Sequence, residues 1–215
     1  RPYGFDWEDW GRDDALEVLD IAQRTLGTDP TRTYLTGHSM GGHGAWHVAV
    51  TYPDRFAAVG PSAGWVSFRS YARRGAEEEE PGPMDALLRR AGSPSDTLSL
   101  VKNLDPLGVY ILHGADDDNV GPEQARTMVA ALEPFHRAFT YHEQPDAGHW
   151  WGSDDEPGAD CVDWAPMFDL FARSVRPRAD AVRDVRFTTA NPSISASARW
   201  VAIEAQREMG RPASV

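Results

Sequence analysis

One serine, three adjacent aspartates and seven histidines carry the chemistry this sequence can offer. Ser39 stands in Gly37-His38-Ser39-Met40-Gly41-Gly42, with a glycine two residues before it and another two after. At a hinge from strand to helix, such a serine has its Oγ pushed out above the N-terminus of the helix. The N–H of the next residue, Met40, then faces the place where an oxyanion would form. The plainer reading is a glycine-rich turn with a helix-capping serine. Acyl transfer also needs a base to take the serine proton and a group to orient that base.

Asp116, Asp117 and Asp118 are the candidate acids. Asp116 follows a strand closely and can cap the turn; Asp118 can cap the helix that begins near Pro122. Asp117 sits four residues after His113. Among the histidines, His38 is locked in the turn, and His43 and His47 lie on the helix behind it. His113 precedes the acid turn and shapes it, while His136 and His142 lie in or before a strand. His149 follows Gly148 on the loop after the last strand. It is the histidine placed to reach Ser39.

These groups need a scaffold that brings distant loops together. Thr31–Thr36 reads as a buried strand entering the serine turn, and Gly44–Val50 as the helix leaving it. Before them, Asp13-Asp14 opens a helix with Ala15, Leu16, Leu19, Ala22 and Leu26 at helical spacing. Tyr3, Phe5, Trp7 and Trp10 form an aromatic loop ahead of it. Phe56–Gly60, Val109–Leu112 and Phe139–His142 read as further strands. Gly121-Pro122-Glu123 starts a helix with Ala125, Met128, Val129 and Leu132 on one face, and Asp163 caps a last helix. Strand and helix alternate, which predicts an α/β fold with a mostly parallel sheet flanked by helices. In such sheets the functional loops leave the carboxyl ends of the strands.

Residues 66–105 interrupt this rhythm. The charge run Glu77–Glu80 and Pro81-Gly82-Pro83 predict a solvated excursion, with a short helix near Met84–Arg90 and flanks that could form a partial lid. Beyond Arg176, Val182–Thr189 and Ser197–Ile203 read as two strands, the start of a β-rich segment. The expected organisation is a catalytic domain over 1–176, truncated at its N-terminus, and the beginning of a second domain over 177–215. The strand before Ser39 would then lack neighbours on one side, an aggregation hazard.

The net charge of −12 argues against nucleic acid or an anionic membrane as a partner. No apolar run reaches transmembrane length. With one cysteine, Cys161, no intrachain disulfide can form, and the sequence marks neither a compartment nor an oligomeric state. Cys161 has no second soft ligand at metal spacing, so no metal or other cofactor is expected. Trp150 and Trp151 follow the base directly and Trp65 follows a neighbouring strand; each could wall a substrate pocket or simply pack its loop.

Together, Gly37-His38-Ser39-Met40-Gly41-Gly42, His113-Gly114-x-x-Asp117-Asp118-Asn119-Val120 and the Gly148-His149 loop resemble the catalytic domain of the prolyl oligopeptidase (S9) family of α/β-hydrolases. The likeness covers residues 12–175, and the order Ser, Asp, His is that of the fold. The resemblance assigns the acid to the first aspartate of the Asp-Asp-Asn-Val segment, Asp117. It implies a serine hydrolase that cleaves a peptide or ester bond through an acyl-enzyme. The family's usual N-terminal β-propeller is not in this sequence, and the tail after 176 does not match. A carboxylesterase, a non-catalytic hydrolase-like binding domain and a metal-dependent hydrolase using Asp116–Asp118 are the rival readings.

Overall fold

The computed structural model describes residues 6–72, 82–153, 155 and 158–215. Tyr3, Phe5, the Glu77–Glu80 run and Pro81 lie outside the described residues. Four parallel strands form the central sheet in the order β1-β2-β3-β4: β1 (Tyr34–His38), β2 (Ala58–Ser62), β3 (Gly108–Gly114) and β4 (Phe139–Gln144). Register runs from Tyr34 opposite Ala58 to His38 opposite Ser62, and from Val109 opposite Phe139 to Gly114 opposite Gln144. The expected strands are all present, but β2 begins two residues later than its apolar run. β1 is shorter than its β-branched stretch, because Pro30–Arg32 forms a 3₁₀ turn capped by Asp29.

β3 is buried almost throughout, as its unbroken apolar sequence requires of an inner parallel strand. β1 is one of the two sheet edges among the described residues, with β4 the other, and is only half-buried. Helix α1 (Asp9–Thr25) starts earlier than Asp13 and lays Leu16 and Leu19 against the core, while Leu26 is exposed. A cavity of about 140 Å³ remains between α1, β1 and α2 (Met40–Thr51), lined by Trp7, Leu16, Leu19, Leu35, Val48 and Phe56.

α2 is the buried helix of one layer. Every residue from Gly42 to Thr51 is buried, so it carries no polar face. It packs with α5 (Glu123–Leu132) and β3 in a core that includes Trp46, Val50, Leu104, Ile111, Met128 and Leu132. On the other side of the sheet, α6 (Ala165–Arg173) places Met167 and Phe171 over Ala58, Tyr110 and Leu112. A side chain at Gly60 would meet Met167 and Phe171 at 2.3–2.7 Å, so the close packing of α6 requires glycine there. Burying Met167 and Phe171 contributes about 1.5–3 kcal/mol each. Asp163 does not cap α6. The N-cap is Trp164, with no side-chain cap bond.

The stretch 66–105 is less of an excursion than its composition implied. α3 (Phe68–Ala72) and α4 (Pro83–Ala91) flank the undescribed part, α4 close to the expected short helix. Thr97–Leu104 is a long 3₁₀ helix that buries Leu100 and Leu104 against α2.

The tail has four two-residue strands in place of the two longer ones expected. β5 (Thr188–Thr189) pairs antiparallel with β8 (Ala213–Ser214), and β6 (Ser197–Ala198) with β7 (Val201–Ala202). Strands this short bury little by themselves, and they take their support from the body. The Asn103 amide donates to Val50 O and Thr188 O, both at 2.7 Å, and Asn103 Oδ1 accepts from Thr188 N. Ser195 Oγ donates to Thr51 O, Tyr52 Oη donates to Ile194 O, and Ala190 enters the core around α2. Among the described residues, no helix is long and apolar enough to cross a membrane.

Candidate active site

The site forms at the carboxyl ends of the strands. Three non-glycine residues just past strand ends hold positive φ: Ser39 at 57°, Ala63 at 46° and Asp146 at 55°. Each such conformation costs on the order of 1–3 kcal/mol and survives only where the surroundings dictate it. At Ser39 the turn is dictated from both sides. Ser39 N donates to Ser62 O at 2.9 Å, and His43 N donates to Ser39 O at 3.0 Å.

The glycines of the motif divide their work unequally. A Cβ on Gly37 would fall 2.4 Å from Gly41 O, and one on Gly42 would fall 2.2 Å from Ser62 O. A Cβ on Gly41 would meet nothing within 4 Å. The steric demand therefore rests on Gly37 and Gly42, because α2 folds back over the end of β1 and lies against the end of β2. Met40 opens α2 directly after Ser39, so its amide belongs to the helix N-terminus, where N–H groups are free to face an anion.

Asp117 leaves the end of β3, and its carboxylate is fully enclosed. Its Oδ1 accepts from Asn119 N at 2.9 Å and Val120 N at 2.8 Å. Its Oδ2 accepts from His149 Nδ1 at 2.8 Å and lies 3.4 Å from His113 Nε2. Burial by itself would raise this carboxyl, but the bonds from His113, His149 and the Val120 amide outweigh it and bring it down to about 2. His113 Nε2 also donates to Val120 O at 2.7 Å, which holds the acid turn shut. Asp116 and Asp118 are exposed.

The acid and base loops are joined by backbone. Asp116 N donates to Ala147 O, Ala115 N donates to Gln144 O, and a Cβ on Gly114 would strike Gly148 O at 2.3 Å. His149 is buried, with its Nδ1 committed to Asp117. That bond places the ring proton on Nδ1 and leaves Nε2 as the basic nitrogen.

A contact that sequence reasoning missed ties this loop to the serine turn. The His38 ring lies 4.7 Å from the His149 ring and 4.2 Å from that of Trp150. Ser62 Oγ donates to Cys161 O at 2.5 Å, so it accepts from His38 Nδ1 at 3.0 Å. Burial, with His149 as a second cause, holds His38 down to about 4, and the ring is neutral. The partners of His38 and Ser62 lie 24 and 99 residues away, beyond any local sequence pattern.

The three tryptophans separate. Trp150 is 63% exposed beside His38 and His149, at the mouth of the site. Trp151 packs edge-on to Trp164 in the core under α6. Trp65 is buried, stacked between His43 and Tyr71.

The model of the prolyl oligopeptidase family matches residues 3–165. An uncharacterized secreted protein of Arthroderma benhamiae is 30% identical over 156 residues, which are 69% of this chain and 17% of that protein. The acylaminoacyl peptidase of Pyrococcus horikoshii superposes over 80% of this chain and 28% of its own, with a TM-score of 0.58 at 15% identity. A thermostable esterase superposes over 76% of this chain and 37% of its own, with a TM-score of 0.51 at 21% identity. The chain thus spans well under half the length of each of these relatives, and at such identities the two structures share its fold alone. Because the family match takes in the serine turn, the acid turn and the base loop, the chain belongs to the prolyl oligopeptidase family, on an α/β-hydrolase fold.

Proposed function

We propose that this protein is a serine hydrolase working through an acyl-enzyme. Ser39 attacks the carbonyl carbon, and His149 Nε2 takes the serine proton and later passes it to the leaving group. Asp117 holds the imidazole in the Nδ1–H tautomer and offsets the charge it gains. The Met40 amide is one donor to the oxyanion. Residues 1–176 carry this catalytic domain and 177–215 are a β-rich segment beside it. The single observation that carries the reading is the enclosed Asp117–His149 bond of 2.8 Å, beside a serine held at positive φ by the end of the next strand.

The family favours a peptide as substrate. The thermostable esterase among the structural relatives supports a carboxylic ester as the second reading. Exposed Trp150 is the wall offered to an apolar acyl or side-chain group; Trp65 and Trp151 would influence substrate only through packing.

The pH–rate profile tests the assignment of the base. His149 works only when neutral, so kcat/KM for an activated ester is expected to rise with pH and then level off. Asp117, held down to about 2, and His38, held down to about 4, complete their titration at lower pH and do not drive that rise. A profile with no rise from acid to neutral pH would contradict the role given to His149.

A further inference from the structure

The loop that carries His149 is held by a closed circuit of contacts. Cys161 N donates to Trp151 O at 3.3 Å, two residues after the base. Cys161 O accepts from Ser62 Oγ at the end of β2, and Ser62 Oγ accepts from His38 Nδ1 at the end of β1. The His38 ring then returns to the loop. It lies against His149, tilted by 49°, and against Trp150, tilted by 46°. The side chain next to the nucleophile thus touches the base, and a buried serine fixes that side chain from behind.

The base needs such a support. Its Nδ1 is bonded to Asp117 Oδ2, which fixes one edge of the imidazole. A single hydrogen bond sets a distance there but leaves the plane of the ring free to turn. Nε2, the nitrogen that must meet Ser39 Oγ, is on the opposite edge, where a turn moves it most. The His38 ring stands against the imidazole and restricts that turn.

The residue type fits both parts of the task. A phenylalanine would offer a ring without a donor for Ser62. An asparagine would offer a donor in the place of Nδ1 without a ring. Histidine combines the two, and it does so at a cost. With its Nδ1–H given to Ser62, its Nε2 is buried without a hydrogen-bond partner, a condition that native structures mostly avoid. Burial, with His149 as a second cause, keeps His38 uncharged, so no second cation faces the imidazolium formed during turnover.

We propose that His38 is a positioning residue for the base, acting through its ring contact with His149 and held in place by Ser62. The role rests on the reading of Ser39, Asp117 and His149 as a triad. Ser62 acts only through His38, and the loss on removing either falls on kcat rather than KM.

The test combines turnover of an activated ester, thermal unfolding and proton NMR of the His149 Nδ1–H. His38→Asn keeps a donor for Ser62, and with it the tie between the ends of β1 and β2. It should melt near the parent while kcat falls on the order of 10²-fold. Ser62→Ala removes the anchor, leaves the bond from Ser39 N to Ser62 O in place, and should lower kcat about tenfold. It carries the test alone if His38→Asn compromises folding. Added to His38→Asn, Ser62→Ala should lower kcat no further, because the ring it holds is gone. The Nδ1–H signal, far downfield in a bond to a carboxylate and assigned by its loss in His149→Gln, should be sharp in the parent and broadened in both single variants. It reports the ring whether or not Ser39 turns over substrate, so the positioning role and the catalytic reading fail separately. Parental kcat and an unchanged signal in either single variant would overturn the proposal. Equal losses from Ser62→Ala with and without His38 would overturn it too, since Ser62 would then act through the fold alone.

Discussion

Ser39→Ala is expected to lower kcat for an activated ester by about 10⁶-fold while the protein still melts cooperatively. The size follows from the way the site is built. The fold holds Ser39 at positive φ, a conformation costing on the order of 1–3 kcal/mol. Gly37 and Gly42 are kept free of side chains so that the turn can close. Oγ is the atom to which this geometry gives a purpose, and alanine removes Oγ while leaving the backbone strain as it was. His149→Ala should do nearly the same damage, since nucleophile and base act as one unit and their losses do not add. Steady-state turnover, measured beside thermal unfolding, checks both variants. Retention of more than a tenth of the parent's kcat by Ser39→Ala would remove serine from the mechanism.

Asp117→Asn should cost about 10⁴-fold in kcat, and Asp116→Asn or Asp118→Asn far less. In the parent, Oδ1 accepts from the Asn119 and Val120 amides, and an asparagine oxygen can keep both bonds. Its NH₂ group must then sit at Oδ2, against the ring N–H of His149 and near His113 Nε2, which already donates to Val120 O. Two donors would face each other. His149 would answer by moving its proton to Nε2, and the nitrogen needed as base would be lost. The two neighbouring aspartates are exposed, and the carboxylate bonded to His149 Nδ1 is that of Asp117, so amides at 116 and 118 leave the tautomer alone. If Asp116→Asn proved the most damaging of the three, the acid would have to be reassigned.

The sheet was legible because each strand has its own local signal. Val109–Leu112 is an apolar run that only an inner strand can bury, and β3 contains it whole. The turn at Ser39 announced itself through glycines whose steric reason the structure supplies, although the demand falls on Gly37 and Gly42 rather than Gly41. The choice among Asp116, Asp117 and Asp118 needed the family resemblance, since any of the three could cap a turn. Other features were not legible because they depend on distant partners. Thr97–Leu104 has no helical excess in its sequence and is held by burial of Leu100 and Leu104 against α2. The tail strands take their support from Asn103, about 85 residues earlier in the chain. The His38–Ser62–Cys161 chain of hydrogen bonds joins residues that no periodicity connects.

Peptide mapping by mass spectrometry after treatment with a fluorophosphonate tests the central claim most directly. The reagent phosphonylates only a serine whose proton is removed as it attacks, with fluoride as the leaving group. The account predicts a single adduct on the peptide that contains Ser39, lost in Ser39→Ala and strongly slowed in His149→Ala and Asp117→Asn. An unlabelled Ser39 in folded protein, or an adduct that forms equally fast without His149, would contradict it.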